Sequence, residues 1–149
     1  MIVAAGLHVP EKPSRDLAER LFDFACDVVP YCRQLSTEPG VVRHIAWQLS
    51  DSATSAAANY QEAKAAYSRR EFAAKNSTVL KELRESKLWL RIIIRCRLGP
   101  SAESQRLLNE VDELCAISTS SMKKLHPIAL FAAWAIILTC TLLLVSCYL

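Results

Sequence analysis

Apolar side chains recur along this chain at intervals of three and four residues in four successive stretches, then merge into one unbroken apolar run. Leu17, Leu21, Phe24, Val28 and Leu35 make the first stripe. Val42, Ile45, Leu49, Ser52, Ala56, Asn59, Ala63 and Ala66 make the second, and Phe72, Asn76, Val79, Leu83, Ser86, Leu90 and Ile93 the third. Leu107, Val111, Leu114 and Ser118, with Met122 or Leu125, make the fourth. Such spacing gathers each set on one side of an α-helix. No stretch alternates apolar and polar residues between turn signals, so the pattern predicts an all-α fold.

The punctuation between stripes fits helices joined by short links. Ser14 follows Pro13 and predicts an N-cap for helix 1. Pro30 falls inside that helix, where it should kink or end it. Residues Ser36 to Gly40 form a loop, and helix 2 follows from about residue 39 to 67. Small residues fill the second half of its seam, so a neighbouring backbone comes close, and Asn59 reads as a buried amide in need of partners. Ser68-Arg-Arg-Glu71 is a capping box that opens helix 3, Gly99-Pro100 ends it, and helix 4 opens near Ser101. The prediction is an N-terminal extension over residues 1–13, then an up-down-up-down antiparallel four-helix bundle over residues 14–125.

The apolar run is a separate element. The 18 basic and 15 acidic residues all precede it, the last being Lys123 and Lys124. As a helix its 22 residues from Ile128 to Leu149 would span about 33 Å, enough for a hydrocarbon core of about 30 Å. A buried helix would instead need an apolar shell on every side. The run therefore predicts a C-terminal transmembrane helix over 127–149. With the two lysines at its entry, the membrane is a partner through residues 128–149, and the bundle sits in the cytoplasm behind a single-pass anchor.

Composition changes the picture little. A chain of 149 residues fits one domain plus the tail, and a net charge of +3 is too mild to imply nucleic acid by itself. The six cysteines include no C-x-x-C pair, which argues against a disulfide framework or zinc site and for free thiols. Residues 1–10 are apolar but lack a basic start and are cut off by Pro10 and Pro13, unlike a signal peptide. His8, His44 and His126 are far apart, no Glu-x-x-His motif occurs, and no phosphate-binding glycine loop or nucleophile elbow is present. Glu82 and Glu85 share a helix face but read as solvated. These features predict a non-enzymatic protein with no cofactor and no metal.

Helix 3 carries the one suggestive charge pattern. Nine basic and three acidic residues lie between Arg69 and Arg97. Lys81, Arg84, Lys87, Arg91 and Arg95 fall within an arc of roughly 120° beside the core stripe. Three readings stay open for this row: a solvated or inter-subunit face, a contact for RNA or DNA phosphates, or an attraction to anionic lipid headgroups. Ser55, Asn59 and Glu62 lie on one side of helix 2 and read as a structural polar network that fixes register. Trp89 and Ile92 point away from the core arc and read as candidate oligomer contacts.

Gln48-Leu49, Ser55, Asn59 and Glu62-Ala63 together resemble the Q-L…S-x-x-x-N-x-x-E-A signature of the bacterial four-helix-bundle proteins, also called 23S rRNA intervening-sequence proteins. The likeness continues through Ser68–Phe72, Leu80–Glu85, Leu88–Leu90 and Leu107–Leu114, covering roughly residues 17–125. It implies a small up-down bundle without enzymatic activity that assembles with itself, often as a pentameric ring. Some members are encoded within rRNA gene insertions, and relatives that accompany reverse transcriptases bind nucleic acid. The chain departs from the pattern at Pro30 and in its apolar tail.

Overall fold

Each of the four stripes is buried on a helix. The structure is a computed structural model and describes residues 16–38 and 40–125. Among them are four α-helices and no strand: α1 (Leu17–Leu35), α2 (Val41–Lys64), α3 (Arg69–Cys96) and α4 (Ser101–Leu125). The predicted N-terminal extension, 1–13, and the predicted transmembrane helix, 127–149, lie outside the described residues.

The helix ends show local chemistry at work. The carboxylate of Asp16 accepts from the Ala18 amide at 3.0 Å, so the observed cap of α1 is Asp16 rather than Ser14. The capping box at α3 forms: Ser68 Oγ accepts from the Glu71 amide (3.1 Å), and Glu71 reaches back to the amide of Tyr67 (3.0 Å). The stop of α3 differs from expectation. Arg97, two residues before Gly99, takes the left-handed conformation (φ 55°), and the Leu98 amide bonds back to the Ile93 carbonyl at 3.0 Å. This is a Schellman closure built on arginine, which bears a cost of about 1–2 kcal/mol that glycine avoids.

Pro30 does not end α1, which runs unbroken to Leu35. Proline removes one intrahelical bond at a cost of about 3 kcal/mol. Beyond it Tyr31, Cys32 and Leu35 are all buried, and burial of large apolar side chains at about 1.5–3 kcal/mol each outweighs that cost. Pro30 itself is exposed, so water can reach the carbonyl it leaves unbonded.

Every helix packs on its neighbour in the chain, and α1 closes the ring against α4. Cross-links between helices give the directions. Along α1 and α2, Asp16 meets Lys64 and the carbonyl of Ser36 meets Arg43. Along α2 and α3, Ser52 meets Ser86 and Glu62 meets Lys75. Along α1 and α4, Arg20 meets Glu110 and Tyr31 meets Ser104. In each pair of helices, numbers rise on one as they fall on the other, so these neighbours are antiparallel. Phe24, Leu21, Leu49, Leu83, Leu90 and Ile93 fill the centre. Ala46, Ala53, Ala56 and Ala63 are buried along α2, and the 2.8 Å bond between two side chains as short as Ser52 and Ser86 requires the close approach of α2 and α3 that the small residues predict.

The membrane assignment is corrected. No helix among the described residues is long and apolar enough to cross a membrane. All four carry charged groups on their outer faces, incompatible with contact to lipid tails. The run on which the assignment rested falls outside the described residues, so neither the C-terminal anchor nor the localisation drawn from it is retained.

One turn fixes how α4 leaves α3. Tyr31 is buried, with its hydroxyl 2.7 Å from Ser104 Oγ. Ser104 spends its own proton on the Pro100 carbonyl (2.7 Å), so Tyr31 is the donor in that pair. A Cβ on Gly99 would stand 2.7 Å from the Tyr31 oxygen and 3.0 Å from Leu35 Cδ2. Gly99→Ala is therefore expected to lower stability by about 1–3 kcal/mol through overpacking, and Arg97→Gly to raise it by about 1 kcal/mol. Urea unfolding of both variants beside the parent chain measures each change.

Candidate nucleic-acid interface

The rotation of α3 about its axis decides what its cations face. Val79, Leu83, Ser86, Leu90 and Ile93 all point inward, and the Ser86 hydroxyl lies 2.8 Å from Ser52 Oγ and donates to the Glu82 carbonyl at 3.1 Å. With that side committed to the core, Lys81, Arg84, Arg91 and Arg95 are exposed. None of the four has an acidic partner among the described residues. Lys87 differs: it is half-buried and paired with Asp112 of α4 at 2.6 Å. Four cations of the predicted row therefore stand free and one is locally neutralised.

Their placement suits a polyanion. From Lys81 to Arg95 the axial rise is about 21 Å, the length of roughly six base pairs of duplex at about 3.4 Å per step. Leu88, 49 % exposed, interrupts the charges, and beside it a shallow groove runs between Arg91, Ile92, Arg95 and Leu108 of α4. An apolar contact beside arginines adds grip on sugar or base without sequence reading.

Elsewhere the basic groups on the α1–α4 seam are spent. Arg20 contacts Glu110 at 2.7 Å and Glu113 at 2.8 Å, with its side chain only 12 % exposed. Arg106 bridges Glu103 at 2.6 Å and Asp27 at 2.9 Å. The side chain of Arg106 holds the Glu103 carboxyl below its ordinary range by hydrogen bonding. On the α2 side of α3 the charge is opposite: burial first, then Glu85 and Asp51, push the Glu82 carboxyl up. Unpaired positive charge on α3 thus collects on its outward arc. Among the described residues, no group of three or more His, Cys, Asp or Glu converges as a metal site.

Two other groups are placed differently from the sequence reading. Ser55, Asn59 and Glu62 do not form one network. Asn59 donates to the backbone carbonyl of Ser55 at 2.9 Å, and Glu62 is exposed and pairs with Lys75 of α3. The buried polar link between α2 and α3 is Ser52–Ser86 instead, while Asn76 is fully buried with neither amide atom bonded among the described residues. Trp89 and Ile92 are half-buried and packed against the core, and Trp89 Nε1 donates to Glu85 at 3.1 Å. The large exposed apolar side chains among the described residues are ones the stripes skip: Phe22, Val29, Val41, Trp47, Tyr67 and Leu88. Their positions off the 3–4 stripes were the available signal.

A family model described as 23S rRNA-intervening sequence protein matches residues 15–120. Among solved structures, the chain is similar to a protein of unknown function from the S23 ribosomal protein family of Bacteroides thetaiotaomicron. The two share 28 % identity with a TM-score of 0.67, over 72 % of this chain and 99 % of that one. No curated protein matches.

The thiols divide sharply by environment. Cys26 and Cys96 are exposed, whereas Cys32 is buried and burial pushes its pKa up to about 12. Burial also raises the half-buried Cys115. Because only the thiolate attacks, a disulfide reagent at pH 8 is expected to label Cys26 and Cys96 rapidly and to reach Cys32 only on unfolding. Peptide mapping after timed labelling checks this, and early modification of Cys32 would contradict its placement in the core.

Proposed function

This chain belongs to the 23S rRNA-intervening sequence protein family, and from that premise we propose that it is a non-enzymatic, self-associating binding module for RNA or DNA. Its phosphate-contacting surface is the outer arc of α3. The observation that supports this most is the set of four exposed cations, Lys81, Arg84, Arg91 and Arg95, aligned on one helix, none of them in a salt bridge among the described residues. Each phosphate neutralised by such a group releases condensed counterions, which makes binding favourable and salt-dependent. Contacts of this kind position a nucleic acid without reading its sequence, so the module recognises backbone and shape. Lys87 contributes less than the sequence row suggested, because Asp112 already holds it. Self-association multiplies the arc, and several weak faces on one particle bind far more tightly than one.

A second reading, a protein-interaction scaffold without nucleic-acid affinity, draws on the exposed apolar side chains of α1 and α2. The two separate on one experiment. Fluorescence anisotropy with a labelled RNA hairpin and a labelled DNA duplex is expected to show binding by the parent chain. Arg84→Glu combined with Arg91→Glu should weaken it by tenfold or more, roughly 1.4 kcal/mol. Arg43→Glu, on the exposed start of α2, should change it by less than about twofold. Equal affinity of the parent and the double variant would remove α3 as the contact and leave the scaffold reading.

A further inference from the structure

One leucine interrupts the basic arc of α3. At 100° per residue, Lys81, Arg84, Leu88, Arg91 and Arg95 share an arc of about 80°, and Leu88 lies seven residues from either end of that row. It does not stand alone. Leu88 opens a groove floored by Ile92, Ile94 and Leu108 of α4, all three half-buried, with Arg91 and Arg95 lining the same groove. Both arginines are exposed, and neither is in a salt bridge among the described residues. The two lie one helical turn apart, about 6 Å along the axis. A ligand that offered only phosphates would gain nothing from the apolar floor, because a charged group loses free energy when it leaves water for such a surface. A purely apolar ligand would gain nothing from the two guanidinium groups. The groove suits a ligand that is anionic and apolar within a few ångströms, and a nucleotide is a flat ring joined to a phosphate. In a duplex the ring faces are covered by stacking, so only an unpaired base presents one.

We infer that this groove is a seat for an unpaired base, and that α3 therefore holds a single strand more tightly than a duplex. The base lies on Leu88, Ile92 and Leu108. The guanidinium of Arg91 or Arg95 covers its other face as a cation–π partner, and the remaining cations of the row hold the flanking phosphates. The floor carries no hydrogen-bonding side chain, so the seat separates unpaired from paired bases and not one base from another. This inference rests on the α3 contact of the proposed function and adds to it the class of ligand. It uses only the face that this contact already assigns to nucleic acid, so it places no demand on how copies of the chain assemble.

Anisotropy on the full-length chain tests the seat with three labelled DNA probes: an oligothymidylate of about 12 nucleotides, a duplex of the same length, and a strand of that length whose sugars lack bases. The duplex carries twice the phosphates, so charge alone favours it. The parent is nonetheless expected to bind the oligothymidylate about fivefold more tightly than the duplex. Leu88→Ser changes no charge and falls at an exposed position. It should weaken the oligothymidylate about fivefold and the duplex less than about twofold, and the abasic strand should bind the parent about as weakly as the oligothymidylate binds the variant. In timed thiol labelling, the oligothymidylate should slow Cys96, which lines the groove, and leave Cys26 of α1 as fast as in the free protein. A duplex bound as tightly as the strand, or an abasic strand bound as tightly as the intact one, would overturn the base seat and leave the α3 contact standing. No binding of any probe would sink both. A Leu88→Ser chain that sediments differently from the parent would assign the groove to contact between copies and likewise overturn the seat.

Discussion

The surface chemistry of this bundle depends on how α3 is rotated against α2. Two buried serines, Ser52 and Ser86, meet at 2.8 Å across the seam between α2 and α3. Side chains that short can touch only if the two helices are close and in one register. Leu83, Leu90 and Ile93 on the same stripe are fully buried, so a turn of α3 would bring charged groups inward, cations in one direction and Glu82 and Glu85 in the other, and expose leucines. Burying a charge without a partner costs several kcal/mol (~2–7 even for a neutral polar group), and this holds the helix in place. The outward arc of lysine and arginine is a consequence of that phase.

Charge then sorts by helix edge. Where α1 and α4 meet, Arg20 and Arg106 lie among Asp27, Glu103, Glu110 and Glu113. These ion pairs accompany the least extensive of the helix contacts and supply directionality where apolar packing is thinner. Partly exposed pairs of this kind add little stability each, so their main effect is to keep acidic groups occupied on that seam. The α2 edge of α3 carries Glu82 and Glu85, while its outer arc keeps cations without carboxylates. The outer arc of α3 is thus the exposed cationic face, and the exposed apolar side chains of α1 and α2 lie on a different one.

The helices were legible in the sequence because a buried face must repeat every three to four residues, and the residues of the four stripes are buried almost throughout. Gly99-Pro100 correctly marked the end of α3 to within a few residues. The identity of the left-handed residue was not legible, because Arg97 takes that geometry only when Leu98 and the Tyr31 turn hold it there. Pro30 misled for a related reason: its local cost is plain in sequence, whereas the burial of Tyr31, Cys32 and Leu35 that overrides it is tertiary. The exposure of Lys81, Arg84, Arg91 and Arg95 was legible in the helical phase, whereas the pairing of Lys87 was not, since its partner lies 25 residues away on α4. A helical projection places Trp89 off the core arc but does not show side-chain reach: its ring packs against the core and its Nε1 donates to Glu85. Trp47 and Phe22 were missed although their off-stripe positions announced them. The helices of the domain are amphipathic, and none among the described residues is long and apolar enough to cross a membrane.

The most direct test of the central claim is the salt dependence of nucleic-acid binding by the full-length chain. If Lys81, Arg84, Arg91 and Arg95 each neutralise one phosphate of a DNA duplex, the logarithm of the binding constant should fall with the logarithm of salt concentration with a slope of about −3.6 per bound chain. A steep linear fall near that value, reduced by about one for each cation removed, is what the α3 contact predicts. Binding that is absent at low salt, or affinity that does not change with salt, would contradict it.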